Sequence, residues 1–394
     1  MNTASNNNNL AMTGGEAAAE AMRQIEPGVV PVYPITPQTP IVEYFARFQA
    51  AGKVKTEIIT AESEHSVMSA AIGAAAAGSR AMTATSSAGL ALMYEILGVA
   101  SGMRLPIVAN IANRALSAPI NIHCDHSDAI GVRDAGWVQI FCETAQEVYD
   151  STILAVRLAE HPEVLLPVMV NQDGFITSHL LEDIEILPDQ PVKNFVGAYR
   201  YPYSLLSQEQ PVTFGALMLP DHLFETKVAQ AEAMQKAGEV YKEVGSALGK
   251  ITGRDYPKFE LFQVDENTEA VIVTMSSAAG TAKAVAQKLF KKGQKVGVVK
   301  IKLFRPFPYE ELRALLKDIR GIAVLDRAFS FGSVPALYSE IIQTLHRAET
   351  SNNIQSYVFG IGGRDLREKD VKQVYADLAA GQFSSETKFL NLNQ

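Results

Sequence analysis

Thr60-Ala61-Glu62-Ser63-Glu64-His65-Ser66-Val67-Met68-Ser69-Ala70-Ala71-Ile72-Gly73-Ala74-Ala75-Ala76-Ala77-Gly78 follows the apolar run Glu57-Ile58-Ile59. Together they read as a strand ending in a turn, then a helix whose small residues permit close packing. A carboxylate therefore stands where a buried helix begins. Glu62 and Glu64 as first-turn acids complement the helix dipole. A glutamate held among Ala, Met, Val and Ile has a second use: in a desolvated site it can share a proton with a cofactor nitrogen.

The same alternation extends on both sides. Val29–Tyr33 reads as a strand, followed by a proline-rich loop and an amphipathic helix from Ile41 to Ala50. Arg80–Thr85 reads as a strand, Ser86-Ser87-Ala88-Gly89 as a turn, and Leu90–Val99 as a helix. Further strands are expected at Leu105–Ala112, Trp137–Phe141 and Val164–Val170, with a helix from about Thr144 to Glu160; upstream, Thr13 or Gly14 starts an Ala-rich helix from Ala17 to Gln24. The region from Leu187 to Pro257 is less regular, with a charged helix from Phe224 to Gly249, and is read as an extension wrapping the first domain. Strands at Glu269–Met275, Val296–Ile301, Gly321–Leu325 and Ile354–Val358, with helices at Thr281–Phe290, Tyr309–Lys317 and Ser333–Ala348, build a second unit. The fold class is α/β: two doubly wound domains, residues 1–255 and residues 256–394.

At 394 residues the chain is too long for one ordinary core, and 47% hydrophobic residues suffice for two. A formal charge of −8 and a pI near 5.5 argue against a nucleic-acid or anionic-membrane surface. The start, Met1-Asn2-Thr3-Ala4-Ser5 and four asparagines, has no basic or apolar leader region, and no apolar run reaches spanning length, so a cytoplasmic chain with a frayed start is expected. Cys124 and Cys142 are too few for an iron-sulfur loop or a zinc ribbon and are expected as ordinary thiols.

Tyr33-Pro34-Ile35-Thr36-Pro37 places a hydroxyl on a stiff loop, which costs little entropy to position; a plain proline-stabilised helix start is the other reading. Arg114, just beyond a core strand in Asn113-Arg114-Ala115-Leu116-Ser117-Ala118-Pro119, can grip a carboxylate bidentately, or pair with Asp125 or Asp128. Ser86, Ser87 and Gly89 bring backbone N–H groups to the carboxyl edge of a parallel sheet. His123, Asp125, His126 and Asp128 are metal-ligand types in an unrecognised spacing, and no metal site is assigned to them. Asn171-Gln172-Asp173-Gly174 falls short of the Gly-Asp-Gly run, followed roughly 25 to 30 residues later by asparagine, that holds Mg²⁺ and a diphosphate: Gln172 replaces the first glycine and Asn194 lies too close. Ser276–Gly280 reads as an ordinary turn, with anion binding the alternative, and Gly360-Ile361-Gly362-Gly363-Arg364-Asp365 as a flexible loop, with a partner contact the alternative.

On the YPITP run at residues 33–37, Glu64 in its small-residue helix and the 113–119 run, the chain resembles the alpha subunit of the 2-oxoacid:ferredoxin oxidoreductases. The resemblance covers nearly the whole chain. It implies a thiamine-diphosphate-binding (pyrimidine) fold followed by a transketolase C-terminal-like domain, the latter expected to be chiefly architectural. It also implies oxidative decarboxylation of pyruvate to acetyl-CoA, reversibly, with ferredoxin reduced. By resemblance, Glu64 is the catalytic acid on the thiamine pyrimidine, Thr36 and Arg114 bind substrate, and Pro34, Ser87 and Gly89 line the cofactor. Thiamine diphosphate would be shared with a beta subunit, with Mg²⁺ and [4Fe-4S] clusters on other chains. Coenzyme A, ferredoxin, a gamma subunit and a ferredoxin-like delta subunit complete the implied partners. A branched-chain 2-oxoacid or 2-oxoglutarate as substrate, a self-contained thiamine enzyme, and a non-catalytic assembly role are the competing readings.

Overall fold

The computed structural model describes residues 9–346 and 352–393; the expected frayed start and the last residues of the Ser333–Ala348 helix lie outside them. Four parallel strands form the first core, in the spatial order Met82–Thr85, Val108–Asn113, Val168–Asp173, Val138–Cys142. Every residue of the four is buried, because helices cover both faces, and this is why the strands show no clean apolar/polar alternation. Val29–Val32 pairs in parallel with Glu57–Thr60 and reaches the main sheet through a bridge from Val29 to Ala81.

From Val29–Val32 the chain therefore runs outward to Glu57–Thr60, then returns to the opposite side at Met82–Thr85. The loops leaving the carboxyl ends of Val29–Val32 and Met82–Thr85 diverge there, which opens the crevice where open α/β sheets take their ligands. The second sheet repeats the device: Ala270–Met275 lies between Val296–Ile301 and Gly321–Asp326, with Asn353–Val358 beyond.

Helices match the expected ones with shifted ends. Thr13 caps Gly14–Ile25 in a capping box with Glu16, as the threonine-before-glycine reading required. The helix expected at Leu90–Val99 is two, Ser87–Leu92 and Tyr94–Gly102, meeting at Met93. The extension carries Pro220–Thr252, 33 residues ended by Gly253 in the left-handed region, and this helix packs on Ala145–Ala159. Helix Glu368–Ala379 and the short strands Asn9–Met12, Glu182–Glu185, Phe259–Phe262 and Lys388–Phe389 had not been expected from the sequence.

Neither had the way the two halves join. Leu303–Arg305, from the second half of the chain, pairs antiparallel with Val138–Cys142 and becomes an edge strand of the first sheet. Behind it lies a buried ion cluster. Lys300 Nζ stands 2.6 Å from Glu143, 2.8 Å from Glu147 and 2.6 Å from Glu260, and Lys302 Nζ stands 2.9 Å from Glu147. Among the described residues no helix is long and apolar enough to cross a membrane.

Candidate functional site

The Glu64 side chain is set by its own helix start. Ser63 is the N-cap of Glu64–Ala76, its Oγ accepting from Ser66 N at 3.3 Å, so Glu64 is the first helical residue, turned inward while Glu62 stays exposed. Glu64 is only 6% exposed, and its helix packs through Val67, Met68, Ala71 and Ala75 into a cluster with Leu90, Met93 and Leu97. The carboxylate lies against Gly89: a Cβ built there would stand 2.5 Å from Glu64 Oε1 and 2.6 Å from Thr85 Oγ1. Gly89 is therefore glycine for room. Beside it the hydroxyls of Thr85 and Ser86 are buried without a hydrogen-bond partner, at the carboxyl end of Met82–Thr85. Buried polar groups in that condition mark a place where a ligand's polar atoms belong.

Ser87 ties this wall to the next strand. Its N–H donates to Asp128 Oδ2 at 2.9 Å and its Oγ to the Ala115 carbonyl at 2.6 Å. Asp128 also accepts from Arg114 N at 3.0 Å, Asn113 Nδ2 at 2.9 Å and Ala129 N at 2.7 Å. Burial pushes the Asp128 carboxyl up to about 6, against these donors. One side chain thus fixes the backbone of both Ser87 and Arg114.

Asp128 does not, however, pair with the Arg114 guanidinium. Arg114 is 7% exposed, its Nη1 donates to the Thr36 carbonyl at 2.9 Å, and its Nε donates to the Asn121 carbonyl at 3.2 Å. No carboxylate lies within 4.0 Å of it among the described residues. The structural ion pair weighed from the sequence is absent there, and a buried cation with spare donors calls for an anion from outside the chain. Thr36 and Pro34 are exposed at the crevice mouth. Glu64, Gly89, Ser87, Arg114 and Thr36 are linked contact by contact across the crevice.

The ligand-type cluster at 123–128 disperses. Asp125 accepts from Ser127 N at 2.9 Å, Asp128 clamps the strand ends, and His126 Nε2 lies 2.7 Å from Asp173. Asp173, in the near-miss diphosphate run, is committed elsewhere. Arg327 Nη1 reaches it at 2.7 Å, and Ser277 donates from N at 3.2 Å and from Oγ. Burial raises this carboxyl, but Arg327 and His126 outweigh that and hold it well below its ordinary value. The Ser276–Gly280 turn thus binds an anion after all, the first half's own aspartate. Sequence reasoning weighs Asp128 as an ion-pair partner or metal-ligand type and Asp173 as part of a near-miss diphosphate run, and gives neither them nor Arg327 the clamping role found here; nothing local distinguishes a buried polar clamp from a surface ion pair.

These residues fit the pyrimidine side of thiamine diphosphate: a carboxylate sealed in an apolar cluster and two unpaired hydroxyls. Comparisons agree. Residues 20–246 match the family described as pyruvate flavodoxin/ferredoxin oxidoreductase, thiamine diphosphate-binding, and residues 268–371 match pyruvate:ferredoxin oxidoreductase core domain II. The pyruvate synthase subunit PorA of Thermotoga maritima is 53% identical over 98% of both chains, and that of Methanocaldococcus jannaschii is 46% identical over 92% of this chain and 93% of its own. The ketoisovalerate oxidoreductase subunit VorA of Pyrococcus horikoshii is 40% identical over 97% of this chain and 98% of its own. Among solved structures, the 2-oxoglutarate:ferredoxin oxidoreductase of Magnetococcus marinus superposes with a TM-score of 0.72 at 19% identity, over 94% of this chain and 65% of that one, a likeness of fold. A split-gene transketolase does so with a TM-score of 0.55 at 14% identity, over 94% and 98%. With both halves matched in order, the chain belongs to the pyruvate flavodoxin/ferredoxin oxidoreductase family, a thiamine-diphosphate-binding domain followed by core domain II.

Proposed function

We propose that this chain is the thiamine-pyrimidine and substrate-carboxylate subunit of a pyruvate:ferredoxin oxidoreductase, a pyruvate synthase run in reverse. The observation that carries this reading is the chain of contacts at the crevice: a buried Glu64 lies against Gly89, and Asp128 joins the neighbouring Ser87 to an Arg114 that reaches the Thr36 carbonyl and meets no carboxylate among the described residues. Thiamine diphosphate, when bound, supplies the carbanion that attacks the ketone of a 2-oxoacid. Glu64 would hold a proton between its carboxylate and the pyrimidine ring nitrogen, and the apolar wall excludes water from that bond. The free N–H groups of Arg114 would take the substrate carboxylate, with the Thr36 hydroxyl beside it.

The domain division at residues 255 and 256 is supported by the two separate sheets, with the crevice wholly in the first. The diphosphate and Mg²⁺ would be held by a beta subunit, because Asp173 is engaged by Arg327 and Ser277. Exposed Leu92, Tyr94, Ile120 and Ile122, on the helices and loop flanking the crevice, suit burial against such a partner. Iron-sulfur clusters on a ferredoxin-like delta chain, a gamma chain, coenzyme A and ferredoxin complete the proposed complex. Both thiols of this chain are buried, and burial pushes the Cys142 thiol up to about 12, far from the thiolate a cluster needs.

Pyruvate is favoured over 2-oxoisovalerate by the higher identity to the pyruvate synthase subunits; a ketoisovalerate oxidoreductase remains the second reading because that relative also matches nearly full length. The test is Glu64→Gln in the assembled complex, assayed by viologen reduction with a panel of oxoacids. Turnover should fall by roughly 10² to 10⁴ with assembly intact. Wild-type turnover would leave only an assembly role for this chain. Faster reaction with 2-oxoisovalerate than with pyruvate in the unmodified complex would shift the substrate assignment.

A further inference from the structure

The loop that carries Arg114 makes a long excursion before it returns. Residues 117–120 are exposed, and Ala115 N donates to the His123 carbonyl at 3.0 Å where the excursion closes. At its far side lies Asn121, whose carbonyl accepts one of the two hydrogen bonds that orient the Arg114 guanidinium, at 3.2 Å. Within the excursion Asn121 Oδ1 accepts from His123 N at 2.7 Å. Its other anchor comes from the second domain: Asn121 Nδ2 donates to the Gly362 carbonyl at 3.2 Å, and Gly363 N donates to the Cys124 carbonyl at 2.7 Å.

The glycine turn fits this place for a physical reason. Gly362 and Gly363 have φ of +64° and +82°, and a Cβ on them would lie 2.6 Å from Asn121 Nδ2 and 2.3 Å from His123 Cβ. Only residues without a side chain let the turn close on the loop. We propose that the second domain orients the substrate-binding arginine: the turn at residues 360–363 holds the Asn121 carbonyl against Arg114, making Asn121, Gly362 and Gly363 positioning residues for the oxoacid carboxylate. This rests on the reading of Arg114 given above. It assigns core domain II a part in substrate affinity, where the sequence suggested a flexible loop or a partner contact.

The test uses the assembled complex with pyruvate. Asn121→Ala, on an exposed loop, removes the tie and keeps the carbonyl; Gly363→Ala pushes the turn off His123. Each should raise the KM for pyruvate roughly tenfold, as expected when one hydrogen bond to a charged group is misaligned. Each should leave kcat within about twofold and thiamine diphosphate affinity unchanged. Hydrogen exchange across residues 115–124 should accelerate. His123→Gly added to Gly363→Ala should restore part of the KM, since it removes the atom the new methyl strikes. Unchanged KM in Asn121→Ala, while Arg114→Ala raises it, overturns the positioning role and leaves the active-site reading standing. Unchanged KM in Arg114→Ala overturns both. A joint loss of kcat, KM and cofactor affinity marks general damage and also overturns the positioning role.

Discussion

Gly89→Ala separates catalysis from stability in one substitution. The new methyl would stand 2.5 Å from Glu64 Oε1, 2.6 Å from Thr85 Oγ1 and 2.9 Å from Glu64 Cδ. Ordinary contact therefore requires the carboxylate to retreat by about 1 Å, and a misplacement of that size at a catalytic group costs on the order of 10² in rate. Helix stability should move the other way, because Gly89 sits inside Ser87–Leu92 and alanine is favoured over glycine there by up to about 1 kcal/mol. That gain offsets part of the clash, so the melting temperature should stay near wild type while turnover collapses. The control is Gly73→Ala in the Glu64 helix, which is exposed and whose Cβ would meet nothing within 4 Å. It should hold full activity and melt slightly higher. The assay is viologen reduction with saturating pyruvate and thiamine diphosphate, alongside thermal unfolding of the isolated subunit. If Gly89→Ala turns over within about twofold of wild type, the carboxylate need not occupy this spot and the role given to Glu64 is wrong.

Lys300→Met should destabilise the chain by up to about 3 kcal/mol, because it removes the buried cation shared by Glu143, Glu147 and Glu260 and leaves them Lys283 and Lys302 alone; chemical denaturation of the isolated subunit measures it, and a loss below about 1 kcal/mol would mean those two lysines suffice. The same cluster sets an acid limit. Burial raises the Glu147 carboxyl, but the Lys302 and Lys300 ammoniums outweigh that and lower it to about 2 from an ordinary 4.5. A depressed carboxyl contributes its stability above the unfolded value and loses it as pH falls. A contribution on the order of 3 kcal/mol is therefore expected in full above about pH 5, fading towards pH 2. Melting of wild type and Glu147→Gln across that range should converge at the acid end; a constant gap would assign the effect to another group.

Arg327→Ala leaves the buried Asp173 carboxylate without its guanidinium partner, 2.7 Å away in the native chain, so a loss of about 3–5 kcal/mol is expected. Since Asp173 on the first half also meets Ser277 on the second, the loss should appear as loosening between the two halves, read by limited proteolysis. A resistant variant would mean that the other joins, the edge strand Leu303–Arg305 and the Lys300 cluster among them, hold the halves together without it.

Local patterns in the chain already settle a good deal. Nearly continuous apolar runs such as Leu105–Ala112 are typical of strands covered on both faces in a parallel sheet, so the α/β class follows from composition along the strand. Glu64 and Thr36 are named through the family resemblance of their runs; local pattern alone leaves the one as a helix-start or buried acid and the other as part of a plain proline-stiffened loop. What local pattern cannot carry is any partner far away in sequence. Arg114 meets the Thr36 carbonyl across 78 residues, Arg327 meets Asp173 across 154, and Asn121 meets Gly362 across 241. An arginine after a strand looks the same whether its neighbour is a carboxylate or a carbonyl. Only the closed crevice, with Asp128 turned onto backbone N–H groups instead, leaves the Arg114 charge for a ligand. Likewise Leu303–Arg305 is too short to declare itself as a strand, and its place at the edge of the other half's sheet is decided by the unpaired backbone groups waiting there.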